Sequence, residues 1–162
     1  HEEIIAALYR ASEAGVKVLL NIRGICMLAP GVEGMSANIQ VVSIVDRYLE
    51  HSRIFYFQNN GAPELYLSSA DWMPRNLDRR IELMFPILDK AVFKEVKGIL
   101  DSYFKDNANA RALQPNGQWE AKIAADGEAS YRVQDALYKK YRRRYEAAHS
   151  VQKSQFEVRR KD

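Results

Sequence analysis

The sequence predicts an α/β fold in which a mixed β-sheet is flanked by helices on both faces. The first observation is a helix pattern, a glycine and an apolar strand pattern in succession over residues 3–22, the order of an α/β unit. The second is a pair of strand patterns joined by residues 59–63 (Asn-Asn-Gly-Ala-Pro), which are typical of a tight turn. The third is an amphipathic helix pattern over residues 91–104.

The amino-terminal third supplies the first α/β unit. Residues 3–14 are predicted to form a helix, because apolar residues recur at helical spacing, and Gly15 ends it. Residues 16–22 are almost continuously apolar, which is typical of a strand buried on both faces. Residues 26–38 are predicted to be a loop, and residues 39–50 a helix with an apolar stripe.

A hairpin and a third strand are predicted next. The hairpin strands are residues 53–57 and 64–69, and the third strand is residues 80–85. Asp89 is predicted to cap the helix over residues 91–104.

The last third is predicted to contain less regular structure. Residues 110–113 and 119–123 are short strand candidates across a Pro-Asn-Gly turn, and residues 130–150 form a final helix. We expect one domain over residues 1–150, followed by a charged, flexible tail over residues 151–162.

Composition limits the class of protein. With 162 residues and an apolar share of 47%, the chain is long enough for one domain with a core. The single cysteine, Cys26, excludes an intrachain disulfide and fits a reducing compartment. No apolar run approaches the roughly 20 residues that span a membrane. The chain begins with histidine and not methionine, so we expect a fragment of a longer protein.

The net charge of +3 is unevenly distributed. Residues 139–162 hold nine Lys and Arg against three Asp and Glu, whereas the remainder holds fifteen against eighteen. A basic helix with interleaved tyrosines suits a phosphate polymer. Because the basic run surrounds most of the predicted helix, a solvated helix and tail is the favoured interpretation.

Polar and cationic side chains collect around the predicted hairpin. His51 and Arg53 lead into its first strand, and Ser68 and Ser69 end its second. Pairing of the two strands brings these side chains to neighbouring strand ends. An imidazole, arginines and hydroxyls together suit an anion that undergoes proton or phosphoryl transfer.

Further arginines are candidates for the same site. Arg23 interrupts the end of an apolar strand, where its desolvation is unfavourable unless it meets an anion. A phosphate contact and a buried pair with Glu50 or Glu82 both remain open. Of Arg79 and Arg80 only one can enter the site, because neighbouring strand residues point to opposite faces.

These residues carry a resemblance to known families. Residues 67–76 (LSSADWMPRN) resemble the segment that follows the His-x-Lys motif in the phospholipase D superfamily, although Arg53 stands where the lysine would be. With residues 22–26 (IRGIC), 48–53 (YLEHSR) and 76–82 (NLDRRIE), the chain more narrowly resembles the carboxy-terminal part of bacterial polyphosphate kinases.

The resemblance implies one phospholipase-D-like half of a polyphosphate kinase. His51 would then lie in the ATP pocket as a general acid or base, Arg23 would bind a nucleotide phosphate, and Arg80 would lie in the pocket. Arg53 and Ser69 are secondary phosphate contacts, each weighed against a salt bridge or a strand-end cap. We expect Asp71 and Glu82 to orient the arginines or His51 and not to transfer protons themselves.

The resemblance also implies partners. ATP or ADP and polyphosphate would be the substrates, and Mg²⁺ would accompany the nucleotide, although no residue of this chain is assigned as its ligand. The phosphorylated histidine would lie in preceding domains, so the fragment alone is expected to be inactive. A cytoplasmic homo-oligomer is implied, with peripheral association at the inner membrane face left open and no nucleic acid as a partner.

Two other functions remain alternatives. One is half of a phospholipase-D-type phosphodiesterase or nuclease, and the other is a non-catalytic module that binds polyanions through the basic helix. The sequence has no Gly-rich phosphate loop of the GxxxxGK[ST] type and no cluster of His and Cys at metal-ligand spacing.

Overall fold

The computed structural model describes residues 1–153, with side chains to residue 149, and confirms the α/β class. Four α-helices and seven strands lie in this part of the chain. In order they are α1 (Glu2–Glu13), β1 (Val18–Asn21), β2 (Ile39–Ile44), β3 (Ile54–Phe57), β4 (Glu64–Ser68), α2 (Pro74–Leu77), β5 (Met84–Pro86), α3 (Lys90–Tyr103), β6 (Ala110–Leu113), β7 (Trp119–Ala121) and α4 (Val133–Lys153).

The strands form two sheets, where the sequence predicted one. The first is a mixed sheet in the order β1-β2-β6-β7, in which β1 and β2 are parallel and the other pairs antiparallel. The second is antiparallel, in the order β3-β4-β5. The predicted hairpin therefore pairs with β5 and forms a separate sheet that carries much of the candidate site.

Helices cover both faces of the mixed sheet, as predicted. Successive residues of β2 point to opposite faces. Ile39 and Val41 are buried in a cluster with apolar residues of α1. Ile44 is buried in another cluster with Tyr103 of α3 and Val133 of α4. The strand β2 is thus the centre of the core, and the loop that follows it leads directly to the candidate site.

The predicted helix over residues 39–50 is wrong. The structure has the strand β2 and then a loop over residues 45–53 without helix or strand. Five of the six β2 residues are buried, because helices pack on both sides of this strand. Such a strand has a continuous apolar run, which periodicity alone does not distinguish from a buried helix. Its β-branched residues favour the strand.

Two other strands differ from their predictions. The strand β1 lies at the edge of its sheet, and Leu19 on it is exposed, so the predicted burial of both faces is wrong in the described chain. The strand β5 begins at Met84, four residues after the predicted start at Arg80. The alternation argument for Arg79 and Arg80 therefore does not apply, since neither residue lies on a strand.

The remaining elements match their predictions closely. Asp89 caps α3, and its Oδ1 accepts hydrogen bonds from the backbone N–H groups of Ala91 and Val92 at 2.8 and 2.9 Å. Gly15 after α1 has a φ of +85°, which favours glycine. The short strands β6 and β7 pair across the predicted turn.

The final helix α4 begins at Val133 and runs to Lys153, so it starts three residues later than predicted and includes the first residues of the predicted tail. Residues 154–162 of that tail lie outside the described residues. The domain over residues 1–150 stays a prediction. Among the described helices, none is both long and apolar enough to cross a membrane.

Candidate functional site

The candidate site lies where three segments meet at strand ends. Arg23 follows β1, His51 and Arg53 precede β3, and Asp71 follows β4. The β3–β4 pairing continues past the strand ends, because the backbone N–H of Ser68 donates to the carbonyl of Arg53 at 3.0 Å. The hairpin therefore places Arg53 beside the segment that carries Asp71. The sequence predicted that Arg53 would lie near Ser68 and Ser69, which belong to this segment.

Asp71 joins the two arginines of the site. The Nη2 of Arg23 donates to its carboxylate oxygens at 3.2 and 3.3 Å, and the Nε of Arg53 donates to Oδ1 at 3.0 Å. The three side chains are partly buried, with 17–26% of their surface exposed. One carboxylate thus holds two guanidinium groups together. In sequence, Asp71 is 48 residues from Arg23 and 18 residues from Arg53.

The Asp71 carboxyl is held in its charged form. Burial alone would raise its pKa, but hydrogen bonding and the charge of Arg53, together with the charge of Arg23, outweigh burial and lower the pKa below its ordinary value. Asp71 therefore remains an anion near neutral pH. It balances part of the positive charge of the arginines before any other anion is bound.

His51 extends the cluster through Arg53. The Nη1 of Arg53 lies 2.9 Å from His51 Nδ1 and 3.1 Å from the His51 carbonyl oxygen. A guanidinium can only donate hydrogen bonds, so the imidazole nitrogen that faces it accepts one. The other ring nitrogen, Nε2, lies 3.3 Å from the same Nη1. The His51 side chain is exposed, so a ligand can reach it.

The arginines retain donors for an anion. Arg23 uses only Nη2, and Arg53 uses Nε and Nη1. Within the described part of the chain, Nε and Nη1 of Arg23 and Nη2 of Arg53 meet no acceptor. Guanidinium groups with free N–H donors suit phosphate oxygens, which accept charge-assisted hydrogen bonds. The cluster can therefore bind a phosphate without losing its internal contacts.

A second polar cluster surrounds Glu82. Its carboxylate accepts hydrogen bonds from the hydroxyl of Ser69 and from Asn76 Nδ2, the latter at 2.9 Å. These hydrogen bonds, first that of Ser69 and then that of Asn76, lower the pKa of the Glu82 carboxyl, and the charges of Arg80 and Arg53 act in the same direction. Ser69 also accepts a hydrogen bond from the Leu83 backbone N–H at 3.0 Å.

The predicted site residues thus fall into three groups. Arg23, His51 and Arg53 come together around Asp71. Ser69 belongs to the Glu82 cluster and holds the β4–β5 connection. Arg80 is exposed and lies within electrostatic range of Glu82, without a direct side-chain contact among the described residues.

The pair of Arg23 is Asp71 and neither Glu50 nor Glu82, because the turn after β4 returns Asp71 to the end of β1. Asp71 contacts Arg23 and Arg53, two of the arginines that it was expected to orient, whereas the Glu82 carboxylate accepts hydrogen bonds from Ser69 and Asn76 and, within the described chain, from neither an arginine nor His51.

Sequence reasoning missed Asn76 and Gln134. Asn76 is buried and donates to Glu82; it lies in both family segments, residues 67–76 and 76–82, but no role was predicted for it. Gln134 contacts the loop before His51 from 84 to 86 residues away. No local sequence pattern indicates such a contact.

No metal site is apparent in the described residues. No group of three or more His, Cys, Asp or Glu side chains is arranged to hold an ion in this part of the chain. The carboxylates of Asp71 and Glu82 already accept hydrogen bonds from protein donors. The residues present therefore do not fit a protein-built Mg²⁺ site.

A family model described as polyphosphate kinase C-terminal domain 2 matches residues 1–134, which include every residue of the candidate site. This chain belongs to the polyphosphate kinase family. A polyphosphate kinase from Rhodopirellula baltica is 51% identical over 160 residues, covering 99% of this chain. Another from Thermosynechococcus vestitus is 54% identical over 127 residues, or 78% of this chain.

A solved structure of the same family is also similar. The crystal structure of the polyphosphate kinase from Porphyromonas gingivalis matches with a TM-score of 0.85 and 43% sequence identity over 91% of this chain. The match covers 22% of that chain, and the two curated relatives are covered to 19% and 17%. This chain therefore spans about a fifth of the length of the polyphosphate kinases it matches.

These relationships decide between the alternatives considered from sequence. The relatives named are polyphosphate kinases, so half of a phospholipase-D-type phosphodiesterase or nuclease is not favoured. The basic run of α4 is partly neutralised in the structure, because Glu95 of α3 pairs with both Lys140 and Arg144. Part of that run therefore serves contacts between helices.

Proposed function

We propose that this chain is the carboxy-terminal catalytic part of a polyphosphate kinase that transfers the terminal phosphate of ATP reversibly onto polyphosphate. The observation that carries the proposal is the cluster of Arg23, Arg53 and His51 around Asp71 at the strand ends. The membership of the family names the reaction, and the free guanidinium donors supply a place for phosphate oxygens.

Each residue has a distinct role in this proposal. Arg23 and Arg53 bind phosphate oxygens of the nucleotide and stabilise the charge that spreads over them during transfer. Asp71 fixes the spacing of the two guanidinium groups. His51, as a neutral imidazole, donates a hydrogen bond to the leaving or accepting phosphate oxygen and serves as the proton-transfer group. Arg80, exposed beside Glu82, is free to turn toward a bound phosphate.

The site requires a second half from elsewhere in a longer polypeptide. Apolar side chains next to the site are largely exposed, and Ile81 is fully exposed between Arg80 and Glu82. Ile25 and Met27 are also exposed, just after Arg23. Exposed apolar surface of this kind is typical of a contact with another protein segment. Preceding domains with the phosphorylated histidine are the proposed occupant.

Magnesium and the cellular context belong to the whole enzyme. Mg²⁺ would arrive with ATP and neutralise charge on its phosphates, and ligands from this chain are not part of the proposal. We propose a cytoplasmic enzyme that is a homo-oligomer when full length. ATP or ADP and polyphosphate are its proposed substrates, and nucleic acid is not a proposed partner.

Replacing Arg23 tests the phosphate-binding role. In the full-length enzyme, Arg23→Ala is expected to weaken ATP binding tenfold or more, because one charge-assisted contact is worth about 1.5–3 kcal/mol. The melting temperature should change little, since Asp71 keeps its contact with Arg53. Equilibrium binding of ATP and thermal unfolding measure the two effects.

The matched control is Arg79→Ala, which removes the same charge from an exposed residue. It should leave ATP affinity within about twofold, less than 0.5 kcal/mol. If Arg23→Ala lowers the melting temperature strongly while ATP affinity survives, Arg23 is a structural partner of Asp71 and the proposed role is wrong.

A further inference from the structure

The loop that carries His51 is held from a distance by α4. Residues 45–53 contain no helix or strand, and the His51 side chain contacts only its neighbour Arg53 among the described residues. The position of the imidazole therefore depends on how the backbone of this loop is fixed.

Gln134 holds this backbone through its amide group. Its Oε1 accepts from the N–H of Tyr48 at 3.0 Å, and its Nε2 donates to the carbonyl of Tyr48 at 2.8 Å. The same Nε2 donates to Oε1 of Glu50 at 2.7 Å. Only 9% of Gln134 is exposed, so water does not readily replace these hydrogen bonds.

Two neighbouring contacts strengthen the attachment. Arg132, just before α4, donates to Asp46 through Nε at 2.8 Å and also through Nη2, and the Asp46 side chain is only 2% exposed. On the other side, Glu50 lies next to Tyr103 of α3, and burial together with the Glu50 carboxylate raises the pKa of that phenol. The loop is thus held at residues 46, 48 and 50, immediately before His51.

We propose that Gln134 is a positioning residue of the phosphoryl-transfer site, which acts by fixing the loop that presents His51 to the phosphate. The inference rests on the proposed function of His51. Among the described residues, Gln134 makes no hydrogen bond to Arg23, Arg53 or Asp71, so it orients the imidazole without touching the phosphate-binding arginines.

The test is a pair of substitutions in the full-length enzyme. Gln134→Met keeps the side-chain volume and removes the amide, and it is expected to lower kcat about tenfold to a hundredfold, the range for a misplaced catalytic group. The KM for ATP should stay within about threefold, because the arginines remain in place. Gln40→Met, at an exposed glutamine of β2, is the matched control and should leave kcat unchanged.

A double substitution separates positioning from general stability. In the His51→Gln background, Gln134→Met should cause no further loss of kcat, because the group that Gln134 positions is already absent. The inference is overturned if the two losses of kcat multiply in the double variant. It is also overturned if Gln134→Met alone leaves kcat unchanged, or if it changes kcat and KM in parallel. If Gln134→Met does not fold, Gln134→Glu is measured by the same criteria, since it keeps an acceptor for Tyr48 and loses both donations.

Failure of the inference is distinguishable from failure of the proposed function. If His51→Gln alone leaves kcat unchanged, the role proposed for His51 is wrong, and the positioning role of Gln134 is overturned with it. If His51→Gln lowers kcat and Gln134→Met does not, only the positioning role is wrong.

Discussion

His51→Gln in the full-length enzyme should lower turnover by about 10²–10⁴, the usual contribution of a positioned proton-transfer group. The fold should survive, because His51 is exposed and lies in a loop. Glutamine can still accept the hydrogen bond from Arg53 with its amide oxygen and donate one with its amide nitrogen. ATP affinity should therefore remain within a few-fold, about 1 kcal/mol.

The pH dependence of the rate identifies the kind of role. A general acid or base predicts that the profile of His51→Gln loses one limb in the neutral range, where an imidazole changes its charge. A fixed hydrogen-bond donor predicts parallel losses of affinity and rate and no missing limb. Steady-state kinetics from about pH 5.5 to 9 separate these outcomes.

His149→Gln is the matched control for this substitution. His149 is exposed on α4, where its ring packs on Tyr145, and it belongs to neither polar cluster of the site. The control should have the turnover and pH profile of the unaltered enzyme. An unchanged turnover in His51→Gln would remove His51 from the site and leave the arginines as an anion-binding cluster.

Asp106→Ala is expected to lower the free energy of unfolding by about 3 kcal/mol or more. Asp106 is fully buried, and its Oδ1 accepts from the backbone N–H groups of Ala108, Asn109 and Ala110 at 2.8–3.0 Å. Its Oδ2 accepts from the N–H of Val133 at 2.8 Å. Alanine leaves four backbone donors without this acceptor.

The same carboxylate connects the start of β6 to the first turn of α4, next to Gln134. Urea unfolding of the 162-residue chain measures the effect. Asp101→Ala is the control, since its exposed pair with Lys97 on α3 contributes only about 0.3–0.5 kcal/mol. Equal stability of the two variants would mean that the backbone donors around Asp106 find other partners.

Local sequence patterns predicted the parts of the fold that depend on local chemistry. Asn-Gly turn residues located the β3–β4 hairpin, and Asp89 located the start of α3, because turns and caps are set by neighbouring residues. The helix predicted over residues 39–50, where the structure has β2, was wrong because the pattern of β2 depends on contacts with distant elements. Burial of both faces of β2 comes from α1, α3 and α4, which are distant in sequence.

Part of the candidate site was predictable from the sequence, and part was not. The hairpin and the family resemblance placed Arg23, His51 and Arg53 together, and the structure has them around Asp71. The support by Gln134 was not predictable, because its partners lie 84 to 86 residues away and an isolated glutamine has no distinctive pattern.

A crystal structure of the full-length enzyme with a non-hydrolysable ATP analogue tests the central claim most directly. We predict that phosphate oxygens of the analogue lie within about 3.2 Å of guanidinium nitrogens of both Arg23 and Arg53, with the His51 ring facing the terminal phosphate. Asp71 should remain between the two arginines. Phosphates bound elsewhere in the enzyme, with the cluster of Arg23, Asp71 and Arg53 facing solvent, would contradict the claim.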